Sequence, residues 1–193
     1  MLPAEAIADV RIRAPTRGNR RLEQLLDAVN ADPQVKAWWH MAGINAQRLS
    51  LTDHSWVHIQ IVTNIALRLA RLLFRRGVRP AMVAEHGMTE RDAEVVIAAG
   101  ALFHCVGMSI HRTDHEGYSL FLTADKLGGL MAPIYDEPER SVAVAEAMHA
   151  VISRALHLEY DERDDPIVEI AAPAGYEAAD IGRQIGHTSA EQE

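Results

Sequence analysis

The stretch Ala101-Leu-Phe-His-Cys-Val-Gly-Met-Ser-Ile-His-Arg-Thr-Asp-His115 places three histidines within twelve residues at the end of an apolar run. Just upstream, Ala93, Val95, Val96, Ile97, Ala98, Ala99, Ala101, Leu102 and Phe103 are nearly continuous, the pattern of a helix buried on most of its sides. Thr89 with Asp92 three residues on predicts a capping box at its start, and Gly107 predicts an exit through a left-handed turn. A helix that delivers imidazoles into its own C-terminal turn can hold a metal inside a helical core. Packed or solvated histidines are the other reading. Company favours the first: His58, His104, His115 and His149 each lie on, or at an end of, a separate predicted helix.

Working outward, Leu22, Leu25, Leu26 and Val29 form one stripe of a short amphipathic helix over 20–31, and Asp32-Pro33 starts the next, over about 33–48. Its Trp38 and Trp39 are core candidates. Asp53 is the expected cap of a long helix reaching about residue 76. Val57, Ile61, Ile65, Leu69 and Leu72 recur there at helical spacing, which predicts a central, buried helix. His54-x-x-x-His58 lacks the Glu that a zinc-protease motif requires after its first histidine, so that reading fails.

Gly77 and Pro80 end this helix, and a short one follows near 81–86. Asp114 is the expected cap of a helix in which Tyr118, Leu120, Phe121, Leu122 and Leu127 pack inward while His115 looks out, and Gly128-Gly129 breaks it. Asp136-Glu-Pro138-Glu opens a last strong helix carrying Val142, Val144, Met148, His149, Val151 and Ile152. The expected layout is an irregular lead-in over 1–19, an all-α helical domain over 20–158 and an irregular, loosely ordered C-terminal segment over 159–193.

At 193 residues the chain suits one domain with a sizeable core. Its formal charge of −8 disfavours nucleic acid and anionic membranes as partners, because both call for a basic face. Cys105 is the single cysteine, which rules out an internal disulfide and fits a reducing compartment. With no leader-like segment at the N-terminus, a cytoplasmic setting is expected. A homo-oligomer would use the Trp38-Trp39 helix or the segment around Met131.

Four fragments together resemble the HD-domain superfamily of metal-dependent phosphohydrolases. They are His58-x-x-x-Val62-x-x-x-Ala66, Leu102-Phe-His104-Cys-Val-Gly-Met, His115-x-x-x-Ser119 and His149-Ala-Val-Ile-Ser, and they span roughly residues 50–155. The resemblance implies an HD-like all-α bundle that binds a divalent transition metal (iron, manganese or zinc) through His58, His104, His115 and His149. It departs from the family at two carboxylates: Cys105 stands where the Asp of the His-Asp pair belongs, and Ala172 where the closing Asp belongs. A thiolate prefers softer ions, so magnesium should suffer most, and a site that holds no metal stays open.

The resemblance implies a phosphohydrolase acting on a nucleotide or other small phosphorylated molecule. His111 and Arg112 would meet the phosphate, and Asp114 or Glu116 would orient a water. The competing readings are a catalytically degenerate binding or regulatory module and, third, a diiron oxygenase of HD type.

Overall fold

The computed structural model describes residues 3–156, and all the regular structure among them is helical. A single turn, α1 (Pro3–Ala6), sits in the lead-in. It is followed by α2 (Arg20–Ala31), α3 (Pro33–Arg48), α4 (Trp56–Arg75), α5 (Ala81–Glu85) and α6 (Glu90–Phe103). A short 3-10 turn (Val106–Ser109), α7 (His115–Met131) and α8 (Glu139–Leu156) complete the described part. The expectations for Ala172 and for a boundary at 158 and 159 lie outside the described residues.

Helix α6 is the centre of the bundle, as its composition predicts. It packs against α2, α4 and α5, and every residue from Ala98 to Met108 is buried. The capping box forms in both directions: Thr89 accepts from the Asp92 amide, and the Asp92 carboxylate accepts from the Thr89 amide. Asp32 caps α3 through the amides of Gln34 and Val35, with Pro33 at the first helical position. Trp39 is fully buried and its indole N–H donates to the Leu102 carbonyl at 2.9 Å, tying α3 to the last turn of α6. Trp39 is the core residue its place in the helix predicts, and Met131, in a segment named as a possible contact surface, is buried as well.

Three expectations are overturned. Ser55, not Asp53, caps α4, while the Asp53 carboxylate accepts from the Ser55 amide at 2.8 Å. The core face of α4 is Ile59, Thr63, Leu67, Ala70 and Arg71, whereas Val57, Ile61, Ile65, Leu69 and Leu72 are exposed. An apolar stripe marks a face that avoids water, and periodicity alone does not say which neighbour covers it. On α7 Leu127 is buried as expected, but Tyr118 and Phe121 face outward. His115, Ser119 and Thr123 point inward, Phe121 is 76% exposed, and the helix runs through Gly128-Gly129 to Met131.

Two helical stretches among the described residues are long and apolar enough to cross a membrane by length and composition. The stretch Glu90–Ser109 is buried inside the protein over 83% of its apolar window, and α4 over 28%.

Candidate metal centre

The site is built around the turn that leaves α6. Gly107 is not left-handed; it lies in the 3-10 turn, and its missing side chain serves a close approach. A Cβ placed there would lie 1.9 Å from the His115 carbonyl oxygen and 2.5 Å from the Ser119 amide nitrogen. The first turn of α7 can therefore press against the turn that follows His104 and Cys105. Ser119 completes the clamp: its hydroxyl accepts from the Gly107 amide at 2.9 Å and lies within donating distance of the His104 and His115 carbonyls. From the other side, the Asn45 amide of α3 donates to the carbonyls of Met108 and Ser109 at 3.0 Å each.

Within this frame His58, from the first turn of α4, meets His104, with their Nε2 atoms 3.3 Å apart. His58, His104 and Cys105 form a group whose donor atoms all lie within 4.8 Å of one another, with both members of the His104-Cys105 pair buried. His54 extends the row: its ring centroid is 5.3 Å from that of His58 and 6.5 Å from that of His115.

Three of these imidazoles are oriented in the same way. His104 Nδ1 lies 2.8 Å from the Ala101 carbonyl oxygen, His54 Nδ1 2.7 Å from that of Thr52, and His115 Nδ1 3.1 Å from that of Arg112. A carbonyl only accepts, so each contact places the ring proton on Nδ1 and the lone pair on Nε2. This is the outer support that metal-ligating histidines ordinarily have. A tetrahedral ion with ligand distances of about 2.0–2.1 Å spans neighbouring nitrogens by about 3.3–3.4 Å. The residues therefore fit a divalent ion of the N/S-preferring kind.

His115 is buried, and desolvation pushes its imidazole below the ordinary range. The Glu116 carboxylate, 3.1 Å from Nδ1, pulls the other way, while the Arg112 guanidinium and His54 add to the depression. His115 is therefore neutral at pH 7. The exposed Arg112 guanidinium also stands beside the row of imidazoles, its Nη1 3.0 Å from the same nitrogen.

The other expected site residues lie elsewhere. His111 is exposed and its Nδ1 accepts from the Thr113 amide. Asp114 precedes α7 with a left-handed backbone (φ 55°) and makes no side-chain cap; it edges a shallow apolar hollow with Ile110, Tyr118 and Phe121. His149 is exposed on α8 and is not a member of the His58, His104 and Cys105 group. His54 was set aside because His54-x-x-x-His58 lacks the Glu of a zinc-protease motif, yet its ring, from the segment before α4, stands beside that of His58. Asn45 and Ser119 act through backbone carbonyls and amides, which leave no mark in side-chain spacing.

Fold and site together define an all-α protein with a histidine and cysteine cluster suited to a metal ion. The chain is similar to an uncharacterized protein of Methanocaldococcus jannaschii, 28% identical over 134 residues that make up 69% of this chain and 52% of that protein. It thus spans about half the length of the curated relative it matches. No family model matches the chain, and no solved structure matches it.

Proposed function

We propose that this chain is a metal-dependent phosphohydrolase-like protein of HD type, with His58, His104 and Cys105 as its metal ligands and a small phosphoester as its substrate. The observation that carries the reading is the 3.3 Å Nε2 separation of His58 and His104, with the second ring held through Nδ1 by the Ala101 carbonyl. When bound, the metal would supply a Lewis acid that polarises a phosphoryl oxygen. Arg112, exposed beside His115, offers the positive charge that a phosphoryl group needs as its charge develops. Glu116 holds the Nδ1 proton of His115 and so orients that ring. Asp114 is exposed at the mouth of the adjoining hollow, where it can accept a proton from an attacking water.

A second reading, a binding or regulatory module without turnover, is favoured by one specific observation. Among the described residues no Asp or Glu joins the His58, His104 and Cys105 group, so a bound cation would keep more of its charge.

The test is metal analysis of protein purified without chelator, followed by hydrolysis of a p-nitrophenyl phosphoester with zinc, manganese or ferrous iron added. About one equivalent of metal together with turnover that Arg112→Ala weakens supports the phosphohydrolase. Metal without turnover supports the binding module. Wild-type protein that takes up no metal, or a His104→Ala variant that still takes up as much as wild type, overturns the metal site and the phosphohydrolase with it.

A further inference from the structure

Helix α4 faces the core with one side, and no other described helix covers the opposite side. Along it run Val57, Ile61, Ile65, Leu69, Leu72 and Leu73, which are 38–59% exposed. Large apolar side chains scattered singly on a surface need no explanation, but six on one helix face do. Together they present on the order of 500 Å² of apolar surface, the upper range of what monomers leave open and more than half of the roughly 800 Å² each partner gives to a stable interface.

We propose that this face is a homodimer interface, covered by α4 of a second copy running antiparallel about a two-fold axis at Ile65. The exposure profile is itself nearly symmetric about that residue: 40% at Val57, 52% at Ile61, 59% at Ile65, 54% at Leu69 and 38% at Leu73. An isologous contact has this requirement, that residue i of one copy meets residue j of the other and j meets i. With Ile65 on the axis, Val57 meets Leu73 and Ile61 meets Leu69, large apolar groups at each pairing.

Charge selects the orientation. Helix α4 contains no acidic residue, and its exposed cations Arg68 and Arg75 lie in its C-terminal half with exposed Arg76 at its C-cap, while the exposed residue Asp53 stands just before its start. A parallel pairing would stack each arginine against its own copy. The antiparallel pairing instead carries the Arg75-Arg76 end of one helix toward the Asp53 end of the other, and it also opposes the two helix dipoles. An anionic lipid surface could take a basic amphipathic helix too, but the chain as a whole carries a charge of −8, which opposes that approach.

The test uses the full chain. Sedimentation equilibrium should give twice the 21.3 kDa chain mass, and Ile65→Glu should return the single-chain mass by raising the dimer dissociation constant at least ~100-fold. Ile65 is outside the core, so this variant should keep the helical circular dichroism of the parent. Orientation is read by cross-linking with copper phenanthroline as oxidant, which removes two electrons and two protons for each disulfide formed. Ile65→Cys should link to itself, whereas Val57→Cys should link only when mixed with Leu73→Cys; Cys105 is 1% exposed and stays out of the reaction. Three outcomes would overturn the proposal: a monomer at tens of micromolar, a dimer indifferent to Ile65→Glu, or Val57→Cys linking readily to itself. Sedimentation with phosphatidylserine vesicles that Ile65→Glu abolishes would reassign the face to a lipid surface.

Discussion

The Nε2 atoms of His58 and His104 face each other across 3.3 Å although 46 positions separate the two residues in the chain. The ring of His104 carries its proton on the far nitrogen, against the Ala101 carbonyl, so its lone pair is directed at His58. Two imidazoles aimed this way either share a proton or share an ion, and the adjoining Cys105 sulfur supplies a third donor for the ion.

The sulfur can be tested directly by loading the protein with cobalt(II). A thiolate ligand gives a sulfur-to-cobalt charge-transfer band in the near ultraviolet, and the wild-type protein should show it. Cys105→Ser should lose the band and weaken binding by at least about tenfold, since even outer partners of a metal site contribute that much. Cys105→Asp should also lose the band but shift preference toward manganese, because a carboxylate is the harder ligand. A spectrum unchanged in Cys105→Ser would remove the sulfur from the site.

The glycines separate a tight contact from an open one. Gly107→Ala forces a Cβ to within 1.9 Å of the His115 carbonyl, a backbone atom that cannot step aside. It should cost about 3 kcal/mol in urea unfolding and weaken metal uptake as well. Gly129→Ala meets nothing within 4 Å on an α-helix and should stabilise by about 0.5–1 kcal/mol. Equal effects at the two positions would mean that the turn after His104 is not clamped by α7.

The helices and two of their starts were legible because they follow from local chemistry: the Asp32-Pro33 start and the Thr89 to Asp92 capping box are set by residues within one turn, whereas Asp53 and Asp114 do not cap as expected. His58, His104 and Cys105 were legible as a group because each stands at an end of an apolar helix. What did not show was direction. On α4 and α7 an apolar pattern identifies a water-avoiding face, yet Ile65 and Phe121 lie on the exposed side, because Thr63, Ser119 and Thr123 satisfy their hydroxyls within the core. Buried hydroxyls that bond back to the preceding turn make a polar-looking stripe the inner one.

Acid should destabilise the protein through Asp92. Burial alone would raise its carboxyl, but hydrogen bonds from the Thr89 hydroxyl and amide, from Arg21 and from the Tyr135 hydroxyl outweigh this and hold it below the ordinary range. A carboxyl lowered in the folded state contributes its full stability above the unfolded value of about 3.9, and that contribution is lost as pH falls through the folded value. Unfolding free energy should therefore drop as pH falls from about 5 toward 2. In Asp92→Asn the amide sets donors against donors, since one oxygen accepts from Arg21 and Tyr135 and the other from both Thr89 groups. That variant should lose about 2 kcal/mol at pH 7 and show a flatter acid limb. A limb as steep as the parent's would place the acid sensitivity elsewhere.

The pair Arg71 and Glu94 joins α4 to α6 and shows how the core tolerates charge. Nε and Nη2 of Arg71 donate to the two carboxylate oxygens at 2.7 and 2.9 Å, and the side chains are only 6% and 13% exposed. Asn19 adds a further donor to Glu94, while Arg71 Nη1 is buried with no hydrogen-bond partner. Taking two charges out of water costs about as much as their attraction returns, so the pair itself adds little net stability. Removing one partner is different, because the other remains buried and uncompensated. Glu94→Gln should lower the unfolding free energy by about 3–5 kcal/mol, whereas the double variant Arg71→Met with Glu94→Met should recover most of that loss. A double-mutant cycle in urea measures the coupling. If the double variant were as unstable as Glu94→Gln, the pair would contribute net stability that apolar side chains at the same positions do not replace.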